Sequence, residues 1–125
     1  MKVLIIDDEP IILKMYEEIF RSGGFETLTA FDGEAGIKQA KENKPDYIML
    51  DIIMPTFNGL DVLKKMKEDS EIKNIPVYLL TNLPAECSEE KAKSLGAAGY
   101  FVKAENDPKT VMEKIKSLSS PQSSS

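Results

Sequence analysis

Val3-Leu4-Ile5-Ile6-Asp7-Asp8-Glu9-Pro10 is the stretch on which the fold turns. Four apolar residues run without a break and stop at two acids. A short continuous apolar run of this kind reads as a strand buried on both faces, as parallel sheets require. Pro10 then opens a helix, where its missing N–H falls among donors that have no partner inside the helix.

The same alternation repeats outward from this point. Ile12, Met15, Tyr16 and Ile19 supply a helical stripe that Ser22-Gly23-Gly24 stops. Phe25–Phe31 is a second strand, mixed in character and so expected near a sheet edge. A helix from Asp32-Gly33 carries Ala35, Ile37 and Ala40 and ends before Pro45. Tyr47-Ile48-Met49-Leu50 is a third buried strand closed by Asp51, and Asn58 caps the helix beyond it, with Asp61 favouring its positive end. Pro76–Leu80 is strand four, ending at Thr81. A helix follows from Ser88-Glu89-Glu90 to Gly96. Tyr100-Phe101-Val102 is strand five, ending at Lys103, and Asp107-Pro108 starts a last helix with Val111, Ile115 and Leu118 at i, i+4, i+7. Five strand-then-helix repeats imply an α/β fold: a doubly wound, five-stranded parallel sheet of order 2-1-3-4-5 with five helices, flavodoxin-like or CheY-like. Residues 1–118 form the expected domain, and 119–125 a Ser-rich tail or linker stub.

Composition narrows the function. The 125 residues carry a net charge of −5, the wrong sign for a phosphate-backbone footprint, so no direct nucleic acid binding is expected. The single cysteine, Cys87, fits a reducing compartment and a cytoplasmic protein; its acidic neighbours Glu86, Glu89 and Glu90 oppose a thiolate. The first residues do not read as a signal peptide, and no stretch approaches the roughly 20 apolar residues of a membrane span. The absence of histidine removes imidazole catalysis, histidine metal ligation and any phosphohistidine carrier role.

In open parallel sheets, ligands bind beyond the carboxyl ends of the strands. Here those positions are held by Asp7, Asp8, Asp51, Thr81 and Lys103, whereas strand two ends in Phe31 and adds nothing. Each residue alone has a plain structural use. Asp7 or Asp8 could cap the first helix, Asp51 could start a polar turn before Pro55, Thr81 could be a strand-end hydroxyl, and Lys103 could balance nearby acids. Three carboxylates in one crevice, however, repel unless a cation joins them. Oxygen donors without His or Cys favour Mg²⁺, or Mn²⁺, over zinc. Mg²⁺ keeps waters and shares carboxylates with phosphate oxygens, so the set has the character of a phosphoryl-transfer site.

V-L-I-I-D-D-E-P, Y-I-M-L-D-I-I-M-P-x-x-x-G, L-L-T and G-A-A-G-Y-F-V-K occur in that order. With these four blocks the chain resembles the CheY-like receiver domain of two-component response regulators, over residues 1 to about 118. The resemblance implies that Asp51 is the phosphoacceptor, taking a phosphoryl group from a histidine kinase or a histidine phosphotransfer protein. It implies Mg²⁺ bound by Asp8, Asp51 and the backbone carbonyl of Ile53, with Asp7 acting through water. Lys103 and Thr81 would hold phosphoryl oxygens, and Thr81 with Tyr100 would form the switch that alters the face of the fourth helix, fifth strand and fifth helix for an output partner. Tyr100, met without the family, reads as core; Met49, Met54 and Met66 read as packing.

Departures from the family pattern are also legible. Lys103 precedes Ala104 where the family has proline, and a non-proline cis bond there would cost about 2.5–4 kcal/mol. Asn82 stands where a small residue is usual. The last helix carries lysines where DNA-binding members have an arginine, and Ala98-Gly99 precede Tyr100, so a monomer is expected rather than the symmetric dimer of those members. Three other readings compete. A haloacid-dehalogenase-type phosphatase lacks its Asp-x-Asp and cap. A receiver-like scaffold that no longer switches is compatible with the Ala104 and Asn82 departures. An FMN carrier is opposed by the acidic loop after strand one.

Overall fold

The computed structural model describes residues 1–54, 57–81, 89–103 and 105–119. Its central sheet has five parallel strands: β1 (Lys2–Ile6), β2 (Glu26–Ala30), β3 (Tyr47–Asp51), β4 (Val77–Thr81) and β5 (Gly99–Val102). Their spatial order is 2-1-3-4-5, as the repeat pattern predicts. The helices are α1 (Pro10–Ser22), α2 (Gly33–Asn43), α3 (Gly59–Glu68), α4 (Glu89–Ser94) and α5 (Pro108–Ser119). A two-residue antiparallel ladder, Ile53–Met54 against Phe57–Asn58, lies between β3 and α3.

Alternation along each buried strand feeds two cores. Leu4, Ile6, Ile48, Leu50, Val77 and Leu79 face α2, α3 and α4, packing on Ala40, Val62, Leu63, Met66 and Ala92. Val3, Ile5, Tyr47, Met49, Tyr78 and Leu80 face α1 and α5, packing on Leu13, Tyr16, Phe20, Val111, Met112 and Ile115. Because β1, β3 and β4 are covered on both sides, they are continuously apolar rather than alternating. At one edge, β2 is mostly half-buried, which is why its composition is mixed.

Helix ends follow their local chemistry. Asp32 Oδ1 accepts from Ala35 N at 2.7 Å, Asn58 Oδ1 from Leu60 N at 2.8 Å, and Asp107 Oδ1 from Thr110 N at 2.8 Å, so α2, α3 and α5 are side-chain capped. Gly96, at φ +97°, ends α4 in the left-handed region.

Two sequence readings of α1 need correction. The buried stripe of α1 is Leu13, Tyr16 and Phe20, with Met15 38% exposed. The helix is rotated from the expected face because Leu13 and Phe20 reach the aliphatic core of β1 and β3. Neither Asp7 nor Asp8 caps α1: Glu9 occupies the N-cap position without a side-chain hydrogen bond. The last helix takes in Ser119, one residue past the expected end of the domain. Asn82, Cys87, Ser88 and Ala104, and the side chains of Met54 and Leu118, lie outside what is described.

Candidate functional site

The carboxyl edge of the sheet collects the five residues named from sequence. Asp7 and Asp8 follow β1, Asp51 ends β3, Thr81 ends β4, and Lys103 follows β5. Ile6 registers with Leu50, so neighbouring strands bring Asp7 and Asp51 to the same level. Thr81 registers with Val102, and its carbonyl accepts the Lys103 N–H at 2.7 Å, which fixes the backbone from which the lysine side chain departs. Ile53 pairs with Asn58 in the short ladder just beyond Asp51. Tyr100 registers with Leu79 and is half-buried against the α2–α4 core.

Three of the five are almost wholly enclosed: Asp7 is 1%, Asp51 3% and Thr81 0% exposed, while Asp8 and Lys103 are half-buried. Carboxylate oxygens of Asp7, Asp8 and Asp51 all lie within 4.8 Å of one another. The Lys103 ammonium stands between two of them, with Nζ 3.6 Å from Asp7 Oδ2 and 3.5 Å from Asp51 Oδ1. These separations suit charge attraction but are long for hydrogen bonds. Among the described residues, Asp7 Oδ2 and Asp51 Oδ1 accordingly have no hydrogen-bond donor. The other Asp7 oxygen, Oδ1, accepts the Glu9 N–H at 3.0 Å, so this side chain braces the turn into α1.

Burial dominates the electrostatics. It pushes the Asp51 carboxyl up from 3.8 to about 6; Lys103 opposes the rise, and Asp7 and Asp8 add to it. The Asp7 carboxyl is also raised by burial, against the pull of the Glu9 N–H and Lys103. One ammonium does not neutralise three clustered acids. Two buried carboxylate oxygens without donors, in an all-oxygen set, are what a hard divalent cation would satisfy. The residues present therefore fit Mg²⁺.

Two contributors escaped the sequence reading. Gly59 stands in the quoted motif, yet its use is steric: a Cβ there would lie 2.4 Å from the Asp51 carbonyl oxygen and 2.7 Å from Ile52 Cα. The first turn of α3 thus lies directly on the backbone beneath Asp51, tied by Gly59 N to Ile52 O at 2.7 Å. Tyr16, read as stripe, is 2% exposed, and its phenol is pushed up to about 12 by burial first and then by Asp7, Asp51 and Asp107. A tyrosine among aliphatic stripe residues was the available signal.

Comparison with known proteins places this geometry. The sequence matches the response regulator receiver domain over residues 3–116, and the chain belongs to that family, whose members are signalling proteins. It is 32% identical over 115 residues to the polar-differentiation response regulator DivK of Brucella anthropi, covering 92% of this chain and 93% of that one. Among solved structures, chemotaxis protein CheY4 of Vibrio cholerae superposes with a TM-score of 0.81 at 30% identity, covering 92% of this chain and 95% of that one. The receiver domain of Francisella response regulator 1452 gives 0.83 at 26% identity, with 94% of each chain covered. No helix among the described residues is long and apolar enough to cross a membrane.

Proposed function

We propose that this receiver accepts a phosphoryl group on Asp51 from a histidine kinase or histidine phosphotransfer protein and relays the change to an output partner. The observation that carries the reading is the clustered trio Asp7, Asp8 and Asp51 with the Lys103 ammonium set between Asp7 and Asp51. Asp51 attacks the donor phosphorus through a carboxylate oxygen. The new O–P bond forms as the P–N bond to the donor imidazole breaks, and the imidazole leaves with the electron pair and takes up a proton. Asp8, Asp51 and the Ile53 carbonyl would hold Mg²⁺ (Mn²⁺ in its place), with Asp7 acting through water. When bound, the ion supplies charge neutralisation at the phosphoryl oxygens. Lys103 releases its hold on the Asp51 oxygen and pairs with the phosphoryl group instead.

Switching follows from the same contacts. Thr81 ends β4 with its side chain enclosed, and its hydroxyl donates to a phosphoryl oxygen. Tyr100, on the neighbouring strand, then packs further inward, and the surface of α4, β5 and α5 changes for the partner. Moving such an equilibrium from 1:99 to 99:1 takes about 5.5 kcal/mol. Two or three charge-assisted hydrogen bonds at roughly 1.5–3 kcal/mol each reach that figure. The receiver domain, residues 1–118 followed by a Ser-rich tail or linker stub at 119–125, acts in the cytoplasm as a monomer, turns over no external metabolite and contacts neither nucleic acid nor membrane.

Intact-mass spectrometry after incubation with acetyl phosphate and Mg²⁺ tests the reading. One phosphoryl adduct is expected, lost in chelator and absent from Asp51→Asn. If wild type gains no adduct, and Mg²⁺ fails to raise its melting temperature, a non-switching scaffold is the better description.

A further inference from the structure

The chain beyond Lys103 must leave the sheet without letting the ammonium drift from the carboxylates. No proline follows to fix the backbone, since residue 104 is alanine. The turn instead closes on one carbonyl. Val102 O accepts from Glu105 N at 3.0 Å, Asn106 N at 3.1 Å and the Asn106 side-chain amide at 3.3 Å. Asn106 Oδ1 is in turn held by Lys114 Nζ at 2.9 Å. The same ammonium stands 5.8 Å from the centroid of the Phe101 ring, within cation–π range. Val102 on β5 and Lys114 on α5 are thus tied through Asn106, Phe101 meets the same ammonium directly, and Lys103 is the next residue after the tied strand.

A lysine on a helix surface is well solvated, and immobilising it costs up to about 2 kcal/mol of rotamer freedom. Here the side chain is held at an amide oxygen and at a ring face together, which makes it a clasp between two elements. On the reading of Asp51 as phosphoacceptor, we propose that Asn106 and Lys114 are positioning residues for phosphoryl transfer. They fix the turn after β5 so that the Lys103 ammonium stays aimed between Asp7 and Asp51. Neither touches the reacting atoms; both act through Lys103. Transfer rates fall steeply when a charge-stabilising group is misplaced by about 1 Å, so a loosened clasp slows the reaction in a folded protein.

The experiment follows single-turnover phosphorylation by acetyl phosphate in Mg²⁺, where the Asp51 O–P bond forms and acetate leaves with the electron pair of the broken P–O bond. Rate and half-saturating donor concentration are read by intact mass. Asn106→Ala and Lys114→Met are each expected to lower the saturated rate about tenfold. Half-saturation and Mg²⁺ affinity should stay within about twofold. Lys114→Arg should recover most of the loss, because a guanidinium both donates to Asn106 and stacks on Phe101. In a Lys103→Ala background the Asn106→Ala effect should vanish. Lys114→Met keeps its aliphatic stem over Phe101 and carries the test if Asn106→Ala does not fold. Unchanged rates in the single variants, or the same fractional loss without Lys103, overturn the positioning role alone. If wild type takes up neither acetyl phosphate's phosphoryl group nor beryllofluoride, the phosphoacceptor reading fails and this inference falls with it.

Discussion

Asp51 is a buried acid whose neighbours are mostly other acids, and that has a measurable thermodynamic sign. Its carboxyl titrates at about 6 in the folded protein against an ordinary value of 3.8. Between those values the folded chain holds a proton that the unfolded chain has lost. Stability from this group is therefore complete below about pH 4 and is lost as pH rises through 6. The gap corresponds to about 3 kcal/mol once the carboxylate is ionised. In chelator, Asp51→Asn should be more stable than wild type by about 1–3 kcal/mol at pH 7.5, and the two should nearly coincide at pH 4. Urea melts at both pH values check this; a difference that does not change with pH would remove crowding as its cause. The residue types at this site were fully legible. Asp7, Asp8, Asp51, Thr81 and Lys103 are strand-ending polar groups after apolar runs, and chemistry of that kind survives as plain sequence. Which of them the protein encloses was not, because exposure depends on what the loops cover.

At the scale of elements, the junction of β3 with α3 is the tightest constraint on the site. Gly59 has no left-handed φ to explain it; its helix simply starts against the Asp51 carbonyl and the Ile52 Cα. Gly59→Ala should destabilise the fold by about 2 kcal/mol, since overpacking against backbone outweighs the helix propensity gained. It should also weaken Mg²⁺ binding by tilting Asp51. Denaturant midpoints with and without Mg²⁺ measure both effects, and an unchanged midpoint would show that the contact relaxes freely. Nothing in a single sequence announces such a contact, because a glycine at a helix start reads equally as a cap neighbour. The α1 stripe failed for a related reason. Met15 lies at i+3 from Ile12 and Leu13 at i−3 from Tyr16, and only the packing against β1 and β3 decides which turns inward.

For the whole molecule, the strand order was legible because the connections are short and the central strands are unbroken apolar runs, which leaves few parallel topologies. The turn after β5 was not, since Asn106 and Lys114 are ordinary polar residues until the fold brings α5 alongside. The order of the sheet also bears on how the protein assembles. Its central strands pair Val3 with Tyr47 and Ile48 with Val77, contacts distant in sequence, so the folding nucleus must close large loops before the sheet is stable. The three acids arrive with β1 and β3, while their ammonium arrives only with the edge strand β5. A partly assembled sheet lacking β5 therefore carries the repulsion without its counter-charge, and docking the last strand is driven in part by relieving it. Hydrogen exchange on Lys103→Met in chelator should show β5 amides opening at lower free energy while those of β1 and β3 keep their protection. Equal loss of protection across all three strands would mean instead that the sheet opens as one unit. The acidic pocket is on this account also a latch for the edge strand, because docking β5 brings in the ammonium that offsets its charge.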